Sequence, residues 1–143
     1  MEQGNHTLAE DTLYKAISLN PEYADAYGNL AVALHQQGKL DEAINAYKKA
    51  LALKPKYVGA YKNLGITLKD QGKLSAAKSA YERAILIEPD YAEAHHNLGN
   101  ALREQGNLDE ALIALQKAIE IKPNYTDALN NIGITFLFQG KLE

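Results

Sequence analysis

Four prolines stand 34 residues apart, at Pro21, Pro55, Pro89 and Pro123, and the chain has no others. A glycine keeps the same step, at Gly4, Gly38, Gly72, Gly106 and Gly140. A fixed period of this length marks a small supersecondary unit, repeated and stacked, because one such unit cannot bury its apolar face alone. The core is then a continuous strip between neighbouring units rather than a single centre.

Each period divides into two helical patterns. In 24–37, Tyr27, Leu30, Ala31 and Leu34 fall at i, i+3, i+4 and i+7 and share one face. Gly38 follows where a helix end wants a left-handed residue, and Asp41 stands where the N-cap of a second helix is expected. That second pattern carries Ala43, Tyr47, Ala50, Leu51 and Leu53, and Pro55 stops it. The next periods repeat this, predicting helices over 58–71 and 75–88 with Ser75 between, then 92–105 and 109–122 with Asp109 between. A lone second helix over 6–19, capped by Thr7, precedes Pro21, and a lone first helix over 126–139 follows Pro123. The expectation is eight helices without strands, divided as an unpaired helix 6–19, full repeats 24–57, 58–91 and 92–125, and an unpaired first helix in 126–143. Small residues recur on the packing faces: Ala31, Gly65, Gly99 and Gly133 on first helices, Ala43, Ala77 and Ala111 on second ones. A glycine inside a helix costs about 1 kcal/mol against alanine, so close helix contact must offset it.

Composition narrows the function. The 143 residues are 46% hydrophobic and 23% charged, which suits a folded chain rather than a disordered one. A net charge of −3 gives no general attraction to a phosphate backbone, so nucleic acid is not an expected partner. No apolar run is long enough to cross a bilayer, and MEQGNHTLAEDTL lacks a signal-peptide core. The absence of cysteine excludes disulfides and fits a reducing compartment, so the expected setting is cytoplasmic, away from membranes.

The repeated residues resemble the tetratricopeptide repeat. The second copy reads Tyr61, Leu64-Gly65, Leu68, Ala77, Tyr81, Pro89; the first reads Tyr27, Leu30-Ala31, Leu34, Ala43, Tyr47, Pro55. The third reads His95, Leu98-Gly99, Leu102, Ala111, Leu115, Pro123, with His95 and Leu115 in aromatic places. The resemblance implies an all-α fold, a right-handed α-solenoid of antiparallel helix pairs, with first helices on the concave side. The wording NPEYADAYGNLA and EPDYAEAHHNLGNALREQGNLDEA is similar to the tetratricopeptide arm of O-linked N-acetylglucosamine transferases and related bacterial proteins.

The first-helix face away from the core is where binding residues belong. One asparagine recurs there in all four copies, Asn29, Asn63, Asn97 and Asn131, followed by Val32, Ile66, Asn100 and Ile134. Lys62, His96 and Asn130 stand at the groove edge. Packed helices lie about 8–10 Å apart and an extended peptide rises about 3.3 Å per residue, so one asparagine meets about every third ligand residue. An amide both donates and accepts, so it can pair with a peptide N–H and C=O together. The resemblance implies the same role, since the transferase arm uses these asparagines on its ligand. The alternative is that this asparagine merely suits a helix near its start or bonds a neighbouring helix. Asp25, Asp70, Glu93, Glu104 and Asp127 lie on the same line, which should disfavour an acidic ligand. Some members of the family grip a C-terminal carboxylate with Lys, Asn and Arg. Here the clamp's places hold Gly28, Val32, Glu93 and Asn97, so it is absent in this register; one repeat on, Lys62 survives but Ile66 and Asp127 spoil it.

Tyr23, Tyr57, Tyr91 and Tyr125, each two after a proline, read first as packing residues and second as an aromatic row along the groove edge. His95 takes a core aromatic's place and His96 points to the groove side; neighbours in a helix diverge too far to chelate one metal, so no metal site is expected. No catalytic constellation, phosphate loop or cofactor signature appears, and the chain does not read as an enzyme. The phase of the ends suggests an array cut from a longer protein, with Leu129, Ile132 and Phe136 left facing solvent and Leu8 and Leu13 on the complementary end. The expected function is an interaction scaffold for an extended peptide or protein segment. The alternatives are head-to-tail self-assembly, an open heterologous contact, or an accessory substrate-recognition arm of a larger enzyme such as a glycosyltransferase.

Overall fold

The structure, a computed structural model, describes residues 2–140, with side chains from Leu8 onward. Met1 and residues 141–143 lie outside it, as do the side chains of His6 and Thr7. Among the described residues eight α-helices follow one another and no strand occurs. They are α1 (Glu2–Leu19), α2 (Ala24–Gln36), α3 (Leu40–Leu53), α4 (Val58–Asp70), α5 (Leu74–Ile87), α6 (Ala92–Glu104), α7 (Leu108–Ile121) and α8 (Thr126–Phe138).

The first helices end as the glycine spacing predicts. Gly38, Gly72 and Gly106 hold φ of 80, 81 and 85°, the left-handed region in which a side chain is strained. The amide of Lys39 reaches back to the Leu34 carbonyl at 2.9 Å and that of Gly38 to His35, closing a Schellman turn. The second helices begin one residue earlier than expected. Lys39, Lys73 and Asn107 occupy the N-cap position without side-chain capping bonds. Asp41, Ser75 and Asp109 therefore sit inside the first turn and do not cap. Their oxygens are used between repeats instead: Gln71 Nε2 donates to Asp41 at 2.6 Å, Gln105 to Ser75 at 3.2 Å and Gln139 to Asp109 at 2.7 Å. The first helix also departs from expectation, starting at Glu2 rather than at residue 6, so Thr7 is no cap. No proline interrupts that stretch, and one internal glycine costs only about 1 kcal/mol.

Packing follows the pairs. α2 lies on α3, α4 on α5 and α6 on α7, and each second helix also packs on the next first helix. First helices touch one another (α2–α4, α4–α6, α6–α8), whereas the second helices α3, α5 and α7 stay apart. That inequality bends the stack and puts the first helices on its inner, concave side. Small residues make the pairing close. Ala43, Ala77 and Ala111 are fully buried, as are Ala50, Ala84 and Ala118. A Cβ on Gly65 would fall into the Tyr81 ring, and one on Gly99 would lie 2.6 Å from Leu115 Cγ.

α8 carries the same pattern without a second helix on it. A Cβ on Gly133 would meet nothing within 4 Å. Leu129, Phe136, Leu137 and Phe138 are exposed, as the sequence leads one to expect for Leu129 and Phe136. Ile132 is half-buried rather than open, because α8 still packs on α7. Leu13 is likewise half-buried against the core of α2 and α3, while Leu8 is exposed.

Candidate functional site

The concave side is built from α2, α4, α6 and α8, so each recurring asparagine takes an equivalent place on it. Asn29 is exposed, and Asn63, Asn97 and Asn131 are half-buried. No intramolecular hydrogen bond engages the side-chain amides of Asn29, Asn63 or Asn97 among the described residues; Asn63 lends only its backbone carbonyl, to Thr67. Val32, Ile66 and Ile134 are half-buried. Val32 leans on the core around Leu30 and Leu34, and Ile66 on that around Tyr81. Part of each aliphatic chain therefore belongs to the core and part to the groove.

Asn131 differs from its equivalents. Its Oδ1 accepts from Arg103 Nη1 at 3.2 Å, and its Nδ2 lies 2.7 Å from His96 Nε2. A guanidinium only donates, so Arg103 sets the amide with its nitrogen towards the imidazole. Nε2 of His96 is then an acceptor, with Asn100 Nδ2 also 3.3 Å away. The tautomer assigned from this network carries its hydrogen on Nδ1, which donates to Tyr125 Oη at 3.1 Å. The two rings lie 4.9 Å apart between centroids. Burial holds the His96 imidazole below its ordinary pKa. Asn100 Oδ1 is buried in the same network without a partner. The asparagine expected to serve at the α8 position is thus tied to α6, as the helix-bonding alternative allows.

The edge of the groove is also settled by contacts between repeats. Gly28, Lys62, His96 and Asn130 are equivalent, and the tyrosine two after each proline reaches back to the first three. A Cβ on Gly28 would lie 2.9 Å from Tyr57 Oη, Lys62 Nζ stands 5.7 Å from the Tyr91 ring centroid, and the Tyr125 ring meets that of His96 at a tilt of 52°. Tyr57, Tyr91 and Tyr125 are therefore packing residues and, by the same contacts, a row along the edge; Tyr23 is exposed. Asn130 is exposed as well.

The line of carboxylates is less acidic than its sequence suggests. Lys54 lies 3.6 Å from Asp25, Lys62 3.0 Å from Glu93 and Lys69 3.7 Å from Glu104, while His35 Nε2 lies 2.7 Å from Asp70. His35, Lys62 and Lys69 reach across to the next first helix, and Lys54 reaches from the end of α3 back to α2. The three lysines offset Asp25, Glu93 and Glu104, and His35 offsets Asp70 only when protonated, so repulsion of an acidic ligand is weaker than expected. These pairs are largely exposed and contribute little to stability. Sequence reasoning did not find the Arg103–Asn131 and His96–Tyr125 contacts. The signal that would have found such contacts is a constant offset, since tyrosine meets its edge residue 29 positions back and glutamine its oxygen 30 positions back.

These features define an α-solenoid of helix pairs with a concave polar face. Models of the tetratricopeptide repeat match residues 12–45 and 62–126, and one described as a TPR repeat matches 33–72. Together they run from residue 12 to 126, and the chain belongs to the tetratricopeptide-repeat family. The crystal structure of MamA is similar, with a TM-score of 0.89 and 28% identity over 97% of this chain and 81% of that one. The structure of YrrB, titled a TPR protein with an unusual peptide-binding site, has a TM-score of 0.82 and 25% identity over 99% of this chain and 73% of that one. The first TPR of Spaghetti (RPAP3), bound to the HSP90 peptide SRMEEVD, shares the fold with a TM-score of 0.79 and 24% identity, over 82% of this chain and 93% of that one. No curated protein sequence matches the chain. Arrays of this kind are interaction scaffolds that use an extended concave surface. No described helix is long and apolar enough to cross a membrane.

Proposed function

We propose that the chain holds an extended peptide segment of a partner protein along its concave face. The observation that carries this reading is the row of three side-chain amides, Asn29, Asn63 and Asn97, on successive first helices, with no hydrogen-bond partner among the described residues. An unengaged amide of this kind can pair with both polar groups of a peptide unit. Val32 and Ile66 lie beside them for apolar contact, and the paired carboxylates leave the surface without a strong field. The peptide-binding site named for YrrB supports the same use of the fold. The test selects binders from a displayed library of linear peptides and measures their affinity for the chain and for Asn63→Ala with Asn97→Ala. Each amide forms two hydrogen bonds of about 1 kcal/mol, so the double variant should bind at least about tenfold more weakly. Undiminished affinity would place the peptide elsewhere.

A second reading concerns assembly, and the bare helix faces favour it. Ala43, Tyr47 and Ala50 of α3 are buried to 1% exposure or less, whereas of their equivalents on α1 Ala9 is exposed and Leu13 and Ala16 are half-buried. α8 presents Leu129, Phe136 and the open place above Gly133. α1 of a second copy would fit there as α3 fits on α2. Sedimentation should then show concentration-dependent, open-ended association that Phe136→Asp abolishes. A monomer at all concentrations, or a closed dimer unaffected by that change, counts against it.

A further inference from the structure

The third repeat departs from the other two on the convex side. In the first repeat Tyr27 stands with Lys49 Nζ 5.7 Å from its ring centroid, and in the second Tyr61 stands with Arg83 Cζ at 5.9 Å. The equivalent pair in the third repeat is His95 and Lys117. His95 is smaller and is drawn inward, with Nε2 2.9 Å from the Pro89 carbonyl and only 8% exposure. Lys117, left without a ring, lies 3.6 Å from Glu120. A cavity of about 650 Å³ opens here between α5, α6 and α7, with Ile85, Leu98, Leu102 and Ala114 among its lining. The equivalent cavity two repeats earlier, which Tyr27 helps to line, is only about 280 Å³.

The lips of the cavity change together with its floor. Leu86 and Ile113 flank it at 74% and 67% exposure. Their equivalents in the first repeat step are Ser18 and Asn45, and in the second Ala52 and Ser79. Two large aliphatic residues are thus held in solvent at the step where His95 stands in the tyrosine's place. Around them Glu82 and Glu110 have no cation within ion-pair distance among the described residues, and Lys117 is shared with Glu120.

We propose that this convex cavity is a second binding site, and that it takes the aromatic side chain of a partner peptide, a Tyr or Phe flanked by Lys or Arg. The ring replaces the one the other repeats supply from within, lying between Leu98 and Leu102 with Lys117 above its face. Leu86 and Ile113 close over it, and the flanking cation meets Glu82 and Glu110. A volume of about 650 Å³ is in the range of small-ligand pockets and has room for the ring together with its flanking residues. The site is independent of the concave asparagines, so it stands or falls without the peptide groove.

The test is a methyl-labelled NMR titration with the peptide acetyl-Lys-Tyr-Lys-amide, set against acetyl-Lys-Leu-Lys-amide. The tyrosine peptide should shift the methyls of Leu86, Leu98, Leu102 and Ile113 in the millimolar range, with the leucine peptide about fivefold weaker. His95→Tyr refills the cavity with the residue that the other repeats carry, and should abolish the shifts. Ile113→Glu changes an exposed lip and should weaken them without unfolding the chain. Equal response to both peptides overturns the aromatic assignment. Shifts that persist in His95→Tyr, that are absent throughout, or that map to the groove methyls of Val32 and Ile66 overturn the site. Methyl shifts that follow protein concentration alone would make a second copy the occupant and overturn the partner assigned here.

Discussion

Gly99 and Gly133 occupy equivalent places in α6 and α8, and exchanging each for alanine should have opposite effects. Both changes gain about 1 kcal/mol of helix propensity, since alanine loses less backbone freedom on folding. At Gly133 nothing lies within 4 Å of the new methyl, so that gain should appear undiminished. At Gly99 the methyl would lie 2.6 Å from Leu115 Cγ, 2.9 Å from Leu115 Cδ2 and 3.2 Å from the Ala111 carbonyl. Leu115 is fully buried and the carbonyl belongs to the helix backbone, so α6 and α7 must move apart. Overpacking of this kind costs about 1–3 kcal/mol, leaving a net loss of up to about 2 kcal/mol. Urea unfolding followed by circular dichroism at low protein concentration measures the difference. Because the backbone term is common to both variants, their separation of about 1–3 kcal/mol reports packing alone. If Gly99→Ala stabilises as much as Gly133→Ala, the close approach of first and second helices is wrong. If Gly133→Ala destabilises, something covers α8 in solution.

Two further outcomes follow from titratable groups. Burial pushes the Tyr47 phenol up to about 12 and raises Tyr81 as well. Above pH 10 the unfolded chain loses these protons first, so stability should fall by about 1.4 kcal/mol per pH unit and phenol, and Tyr47→Phe should flatten urea midpoints measured from pH 9 to 11. His96 is held below its ordinary pKa, so the unfolded chain binds its proton first on acidification. The stability that neutral His96 contributes is present above pH 6.5 and should be lost as pH falls below it. Protonation also turns Nε2 into a donor facing two amide nitrogens. Thermal unfolding from pH 7.5 to 5 should show this dependence and His96→Gln should reduce it; an unchanged slope would remove His96 from the α6–α8 contact.

The periodic residues made most of the fold readable. Pro55 and Gly38 act through their own backbone geometry, so their spacing alone located helix ends to within a residue. Leu30, Leu34 and Tyr47 fell on predictable faces because helical periodicity is local. The start of each second helix was less legible. Asp41 and Asp109 are good caps by type, but glutamines 30 positions ahead engage them, and the Schellman turn already sets where the helix begins. The groove was legible as a row of equivalent positions and not as a set of equal residues. Asn131 has the same place as Asn63, yet Arg103 and His96 bind it. The carboxylates were visible, while the lysines that pair with them lay off the line and one repeat away.

Sequence by itself determined the repeat, the helix pairs, the small residues at their contacts and the row of asparagines on one face. Each of these depends on a residue's own backbone preference or on its phase within one helix. Only the tertiary structure decided which amides stay free, how far the acidic line is neutralised, and that His95 leaves the convex side open. Those outcomes depend on side chains from neighbouring repeats meeting across the stack. A single repeat's pattern carries no record of what the next repeat brings to that contact.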